Sequence, residues 1–383
     1  MSTSDLLAGE HEPDWDTGVD GTVAVAVVGL GGYARGVSLP ALAAGGYTTV
    51  GAVVSGDPEK AATVADEYGA TALTYDDYAA GEATDAYDAV YVATPNRDHL
   101  QRVETAAAHG RHAIVEKPLD ATSERAAAAV DACEAADVRL MTAYRMQTDP
   151  VIRRLRTAVD DGFVGDAVKL FGDFTFPVLR GSAGPDQWRL DPHLAGGGAL
   201  YDVGVYPLNT ARFLLDADPV AVSATLQGGN PRADGDGSDA GGAGAARDDH
   251  QSTADPFVGV DEHTHFQVSF PDGVVGNFSA SFTGHATAAL EVIGTAGRVR
   301  IEDAFQPGRD RVVRVERGEE TVTLEGVGGD ETRAEFDYFA HAILADEPIE
   351  PDGHDGLVDL HVLEAVLDAA HRGERVSVPE RET

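Results

Sequence analysis

Thr22 to Val28 reads TVAVAVV and runs directly into Gly29-Leu-Gly-Gly-Tyr-Ala-Arg35, and no other junction constrains the fold as strongly. A short β-branched apolar run without polar alternation reads as a strand buried on both faces, as in a parallel sheet covered by helices. The spacing Gly29-x-Gly31-x-x-Ala34 asks for a tight turn at the first glycine and close backbone approach to a pyrophosphate at the second. The small third residue lets a helix pack on the strand, with its first N–H groups aimed at phosphate. A glycine-rich turn without a ligand is the alternative, against which the context of strand, helix and further βα units weighs.

The same alternation continues downstream. Tyr47 to Val54 reads as a strand, Asp57 to Tyr68 as a helix with Pro58 in its first turn, and Ala86 to Ala93 as a third strand. Asp98 to His109 and the alanine-rich Ser123 to Ala136 read as helices, with strands at His112 to Val115 and Arg139 to Ala143. This predicts a doubly wound α/β domain that binds a dinucleotide, over residues 21–148. Beyond it, over residues 149–383, the pattern predicts a substrate and oligomerisation domain of α+β class with a mostly antiparallel open sheet. A helix at Pro150 to Asp160 precedes strand-like runs at Asp166 to Pro177, Val220 to Leu226, His263 to Phe270, Val274 to Phe282, Ala288 to Ile293 and Arg298 to Glu302. Pro271-Asp-Gly273 and Thr295-Ala-Gly297 suggest hairpin turns, and helices near Glu331 to Ala345 and Gly356 to His371 close the chain. Gly228 to Asp255, rich in Gly, Ala and Asp, reads as a flexible insertion without chemistry.

Charge narrows the function classes. A net charge of −37 opposes nucleic acid and anionic membranes as partners. No run of about 18 uncharged apolar residues marks a membrane span. Met1 to Asp20 holds neither a basic residue nor an apolar core, so no export signal is expected and the cytoplasm is the expected location. The lone Cys133 excludes an intramolecular disulfide and a cysteine-based metal site; it reads as a buried thiol, and no metal is expected. Only three lysines are present, Lys60, Lys117 and Lys169, against 28 basic residues in all. An acidic surface almost free of lysine suits concentrated salt, where the Debye length falls to ~3 Å at 1 M and self-repulsion is screened. A halophilic source is expected, and each remaining lysine gains weight as a chemical group.

Two of those lysines fall where chemistry would need them. An NAD enzyme usually ends its second strand on Asp or Glu, which holds the ribose 2′-hydroxyl. Here the strand ends on Ser55, with Lys60 in the following helix and Arg35 on the neighbouring loop, which favours the 2′-phosphate of NADP. Contact of Asp57 with the ribose, Lys60 being merely solvated, is the alternative. Thr94, Asn96 and His99 follow the third strand and face the expected cofactor, although His99 also reads as a structural partner of the helix start. Glu116-Lys117-Pro118 ends the next strand beside the expected nicotinamide, and the bond before Pro118 is a candidate cis peptide. Asp202 and Tyr206 are four apart in a helix opened by Gly196-Gly-Gly, so they should share one face. A phenol near Lys117 could take a hydroxyl proton, though an ordinary partly buried tyrosine fits equally.

Five motifs in order, GLGGYA after a strand, ATPNRDH, VEKP, Tyr144-Arg145 and WRLDPHLAGGGALYDVGVYPLN from Trp188, resemble the Gfo/Idh/MocA oxidoreductase family over nearly the whole chain. The resemblance implies a Rossmann domain and a catalytic set of Lys117, Tyr206 and Asp202, which would also contact the substrate. It implies cofactor contacts at Gly29, Gly31, Tyr33, Ala34, Arg35, Ser55, Lys60, Thr94, Asn96, His99, Glu116 and Lys117, with Arg145, Trp188 and Arg189 added from motifs that lie near the cofactor in sugar-oxidising relatives. Relatives acting on inositol carry histidine where this chain has Tyr206. The tyrosine form and the acidic composition imply oxidation of an aldose, D-xylose first, at C1 to its lactone with an exchangeable NADP. Another aldose, a cyclic polyol or a trans-dihydrodiol are alternative substrates. A dinucleotide-binding regulator without chemistry is the alternative class, and the intact Lys117 and Tyr206 pair argues against it. A homodimer or homotetramer through the open sheet is expected.

The charge reading has a direct test. The thermal midpoint measured by circular dichroism should fall markedly on transfer from molar salt to dilute buffer; an unchanged midpoint would refute the salt dependence.

Overall fold

The computed structural model describes residues 15, 18–180, 184–228, 255–306 and 308–379. The expected insertion therefore lies outside the described residues except at its two ends, as does most of the acidic N-terminal stretch.

The first layer is built from β1 (Val23–Val28), α1 (Leu39–Ala44), β2 (Thr48–Val54), α2 (Pro58–Tyr68), β3 (Thr71–Leu73), α3 (Tyr75–Ala79), β4 (Ala89–Val92), α4 (His99–Ala108), β5 (His112–Glu116), α5 (Ser123–Ala135) and β6 (Leu140–Ala143). Six parallel strands form a sheet in the order β3-β2-β1-β4-β5-β6. Their near-continuous apolar sequences are explained by burial on both faces: every residue of β4 and β6 is buried. The chain reverses its winding between β1 and β4, and this switch point opens a crevice at the carboxyl ends of the strands. Pattern reading missed β3 and α3, which are too short to show a period. Local chemistry makes α3 all the same, through a capping box between Thr74 and Asp77.

The second layer follows as α6 (Arg145–Thr148), α7 (Pro150–Asp160), β7 (Ala167–Thr175), α8 (Pro192–Ala195), α9 (Val205–Leu215), β8 (Ala221–Gln227), β9 (His263–Ser269), β10 (Val275–Ser281), β11 (Thr287–Gly294), β12 (Gly297–Glu302), β13 (Arg311–Arg317), β14 (Glu320–Val327), α10 (Glu331–Leu344), α11 (Gly353–Arg372) and β15 (Val376–Ser377). Its nine strands run in the order β14-β13-β12-β11-β7-β10-β9-β8-β15, antiparallel throughout except where β7 meets β10. Both expected hairpins are present, joining β9 to β10 and β11 to β12. The β13–β14 hairpin was not anticipated, because its charge-rich, mostly exposed outer strand has the composition of a solvated loop.

The late helices tie the layers together. Phe336 and Phe339 of α10 pack into the core formed by Val23, Val25 and Val27 of β1, and Phe336 meets Tyr91 edge-on at 5.0 Å. α11 packs on both β8 and α5. Packing therefore crosses the chain position near residue 148 where the two sheets part.

Near that crossing, Asp149 caps α7 by accepting from the N–H groups of Val151 and Ile152, and its other oxygen accepts from Arg311 at 2.6 Å. Both side chains are 1% exposed. Removing one member of a buried pair strands the other charge, at a cost of about 3–5 kcal/mol. Asp149→Ala should lose about that much unfolding free energy in denaturant titrations, and Asp149→Asn, which keeps the cap, clearly less.

Candidate active site

The crevice holds a cavity of about 680 Å³ whose walls come from both layers. From the first layer come Gly29 to Ala34, Ser55, Asp57, Lys60, Tyr75, Thr94, Asn96, Glu116 and Lys117; from the second come Arg145, Phe174, Trp188, Arg189, Asp202, Tyr206 and Phe305.

The glycine turn has the shape its sequence requires. Gly29 has φ +103°, and a Cβ there would stand 2.7 Å from the carbonyl oxygen of Ala93, so only glycine fits. At Gly31 and Gly32 a Cβ would meet nothing within 4 Å, which leaves bare backbone facing the cavity. The helix after the turn opens as a π-turn over Ala34–Ser38 before α1. The Thr94 hydroxyl is buried against the cavity and has no hydrogen-bond partner among the described residues. An open glycine backbone and an orphaned buried hydroxyl fit a dinucleotide.

At the end of β2 the acid is occupied. Asp57 caps α2, one oxygen accepting from the N–H groups of Glu59 and Lys60 at 3.1 Å, and Ser55 Oγ accepts from the Asp57 N–H. Lys60 lines the cavity without a carboxylate partner among the described residues. This arrangement presents a hydroxyl and an ammonium where an NAD enzyme would present a free carboxylate.

Two expected residues are not brought to the cavity. His99 is fully buried away from it, its ring nitrogens 3.0 and 3.1 Å from the carbonyl oxygens of Thr94 and Leu119. It bridges the loops after β4 and β5, which is the structural role its helix-start position also allowed. Arg35 is exposed, lies in the π-turn and is not among the residues that line the cavity. Asn96 does line the cavity, yet its amide donates to the carbonyl of Ala195 at 2.9 Å, so it also links the two layers.

The deep end is organised by charge. Lys117, at the end of β5 and followed by a cis bond to Pro118, donates to the Asp202 carbonyl oxygen at 2.7 Å and to its carboxylate at 3.2 Å. Asp202 does not sit in a regular α-helix, as its spacing from Tyr206 suggested, but in a π-turn over Leu200–Gly204 that leads into α9. In that register the partner of its carbonyl would be the nitrogen of Pro207, which carries no hydrogen. The ammonium takes the carbonyl. Upstream, Asp261 fixes the turn by accepting from the N–H groups of Gly198 and Leu200 at 2.7 Å, and a Cβ on Gly198 would lie 2.0 Å from the Asp261 carbonyl oxygen.

Burial raises the Asp202 carboxyl, but Arg189 at 3.0 Å and Lys117 outweigh it and hold it down at about 2. Burial works against the Lys117 ammonium, yet Asp202 carries its pKa above the ordinary lysine value. Both stay ionised at any working pH. Tyr206 lies against them, with Lys117 Nζ 4.8 Å and Arg145 Cζ 4.9 Å from its ring centre, and Phe174 and Phe305 within 6 Å complete an aromatic wall. Arg145 is fixed by Glu331 at 2.6 Å. Glu116 accepts from the buried Tyr91 hydroxyl at 2.6 Å, and burial together with Glu116 holds the phenol of Tyr33 far above its ordinary value. The sequence reading missed Phe174 and Phe305, which look like ordinary apolar residues of a strand and a loop, and Tyr75, whose helix left no periodic signal.

Family models match both layers: the oxidoreductase family with an NAD-binding Rossmann fold over residues 23–144, and the GFO/IDH/MocA C-terminal domain over 152–300. The chain belongs to the Gfo/Idh/MocA oxidoreductase family. Among members of this family, it is 40% identical to the D-xylose 1-dehydrogenase [NADP(+)] of Haloarcula marismortui, across 97% of this chain and 98% of that one. It is 30% identical to D-xylose 1-dehydrogenase (NADP(+)) 2 of Haloferax volcanii, across 92% and 98%. The crystal structure of an aldose-aldose oxidoreductase from Caulobacter crescentus, complexed with glycerol, superposes with a TM-score of 0.82 at 31% identity, over 93% and 99% of the two chains. Among the described residues, no helix is long and apolar enough to cross a membrane.

Asp57 is committed to its cap, and Lys60 has no carboxylate partner among the described residues. Lys60→Glu should raise the KM for NADP at least tenfold more than that for NAD in parallel steady-state assays; equal changes would remove Lys60 from the 2′-phosphate site.

Proposed function

We propose that this oxidoreductase of the Gfo/Idh/MocA family oxidises an aldopyranose at C1 with NADP, D-xylose being the first substrate to try, and releases the aldonolactone. The observation that carries the chemistry is a charged Lys117 held between Asp202 and the Tyr206 ring, in the same cavity as the glycine turn. The two haloarchaeal relatives support the choice of sugar and of NADP, and the pairing of Ser55 with Lys60 supports NADP independently.

In this reading Gly29, Gly31, Tyr33 and Ala34 border the pyrophosphate, and Ser55 and Lys60 hold the 2′-phosphate. Thr94, Asn96, Glu116, Arg145, Trp188 and Arg189 border the rest of the cofactor, while His99 acts on it through the loops it joins. NADP, when bound, supplies the nicotinamide that accepts hydride from C1. Lys117 donates to the anomeric oxygen and orients it. Tyr206 takes the anomeric proton, with the charges of Lys117 and Arg145 beside its ring to compensate charge on its oxygen. Asp202 positions Lys117 and presents its carboxylate edge to a sugar hydroxyl. The unbroken Lys117–Asp202–Tyr206 constellation favours an enzyme over a binding-only regulator.

Residues 21–148 serve as the cofactor domain and 149–383 as the substrate domain in this scheme, with the late helices of the second joining it to the first. The uncovered face of the nine-stranded sheet, where Phe171 is 41% exposed, supports assembly as a dimer or tetramer. A cytoplasmic location, beside the pool of exchangeable NADP, completes the reading.

Absorbance of NADPH appearing on mixing protein, NADP and an aldose panel in molar salt tests the activity. Lys117→Met and Tyr206→Phe should each lower kcat by two or more orders of magnitude while the dissociation constant for NADPH changes less than about threefold. Near-normal turnover in either variant would remove that residue from the chemistry.

A further inference from the structure

α10 buries two carboxyls, Glu331 and, one turn on, Glu335. Glu331 is engaged: it accepts from Arg145 at 2.6 Å and lies 3.7 Å from Arg311. Glu335, 3% exposed, makes no ion pair among the described residues, and its Oε1 is buried without a hydrogen-bond partner. A carboxylate there would be an uncompensated buried charge, which a carboxyl avoids by keeping its proton. The surrounding charges act in the same direction. Burial pushes the Glu335 carboxyl well up, Glu116 on the cavity wall and Glu331 add to it, and Arg145 opposes them without prevailing.

Arg145 is where the state of Glu335 is felt. Its guanidinium carbon lies 4.9 Å from the centre of the Tyr206 ring. Burial works against its charge, yet Tyr206, Tyr33 and Glu331 hold its pKa above the ordinary arginine value. Its Nε is buried without a hydrogen-bond partner, and Glu331 is shared with Arg311, so part of the charge is left unmet. That remainder acts on Tyr206. An ionised Glu335 would set a further carboxylate against the same guanidinium and weaken its support for a phenolate at Tyr206. The titratable groups facing Glu335 are Glu116 from the end of β5, Arg145 from α6, Glu331 from its own helix and Tyr33 from the dinucleotide turn.

We propose that Glu335 is a positioning residue that stays a neutral acid behind Arg145, so that the guanidinium charge is directed to Tyr206. This rests on Tyr206 as the proton acceptor of the reaction. The anomeric proton then passes readily to Tyr206 only while Glu335 keeps its own, and turnover declines once the pH is high enough to ionise it.

Glu335→Gln, which copies the neutral acid and cannot ionise, tests this. In molar salt with NADP and an aldose, kcat of the unmodified protein should fall about threefold or more on the alkaline side. In Glu335→Gln that fall should move up by about one pH unit or more, or vanish. Glu335→Met, a second neutral side chain, should behave as Glu335→Gln does. Two readouts need no turnover. The infrared band of a protonated carboxyl should be present in the unmodified protein at neutral pH and missing from Glu335→Gln. A carboxyl whose pKa is raised by folding contributes stability that is complete below its unfolded pKa and is lost as the pH rises toward the folded one. The thermal midpoint of the unmodified protein should therefore fall further from mildly acidic to alkaline pH than that of Glu335→Gln. Absence of the band, or identical alkaline profiles of kcat in the two proteins, would overturn the proposal. Retained turnover in Tyr206→Phe would overturn the Tyr206 reading and with it the link through Arg145, while the band and the midpoints still decide whether Glu335 is neutral.

Discussion

The ammonium of Lys117 joins the two layers of this protein at the deep end of the cavity. It leaves the end of β5 in the parallel sheet and is received by a carbonyl and a carboxylate of the second layer, at 2.7 and 3.2 Å. A charge-assisted bond of this kind is stronger away from water, and an unmet charge there is correspondingly expensive. The surroundings follow from that constraint. The π-turn at Leu200–Gly204, followed by a proline, offers a carbonyl to the ammonium, and Asp261 pins the turn from behind. Asp202 must in turn be shared with Arg189, and Tyr206 is left with its ring beside two cations.

Charge is divided along the cavity in a way that matches two kinds of ligand. At the deep end the cations are met by carboxylates: Lys117 and Arg189 by Asp202, Arg145 by Glu331, with Arg311 and Asp149 paired just behind. A region neutralised in this way suits an uncharged polyol better than a phosphate. Around Ser55 the balance is reversed, because Lys60 has no carboxylate partner among the described residues although acids abound in the chain. The nearby Asp57 is spent on capping α2. A lysine left without a carboxylate in so acidic a protein suits an anion.

The parts of this site that could be read in advance are those whose requirement is local. Gly29, Gly31 and Ala34 answer to the geometry of one turn, and the strand ends at Ser55, Thr94 and Lys117 follow from alternation of strand and helix. His99 shows where that reasoning stops. Position after β4 predicted a view of the cofactor, but two carbonyl groups from separate loops claimed the ring. Arg35 lies exposed in a π-turn whose register no spacing rule marks. Tyr75 sits in a five-residue helix with no period to detect, and Phe174 and Phe305 differ from core phenylalanines only in what they face.

The sequence by itself determined the parallel sheet, the dinucleotide turn, the antiparallel second layer and the special standing of Lys117. These depend on backbone conformation, on burial period and on the scarcity of one residue type, all of which are written within a few residues of each other. Tertiary structure alone decided which side chains share the cavity, which carboxylate neutralises which cation, and how α10 and α11 bind the two sheets into one core. Many of those outcomes depend on contacts between residues far apart in the chain, as in Lys117 with Asp202, 85 positions apart, and Arg145 with Glu331, 186 apart. Only the folded chain brings such residues within hydrogen-bonding distance, and no local pattern encodes that distance.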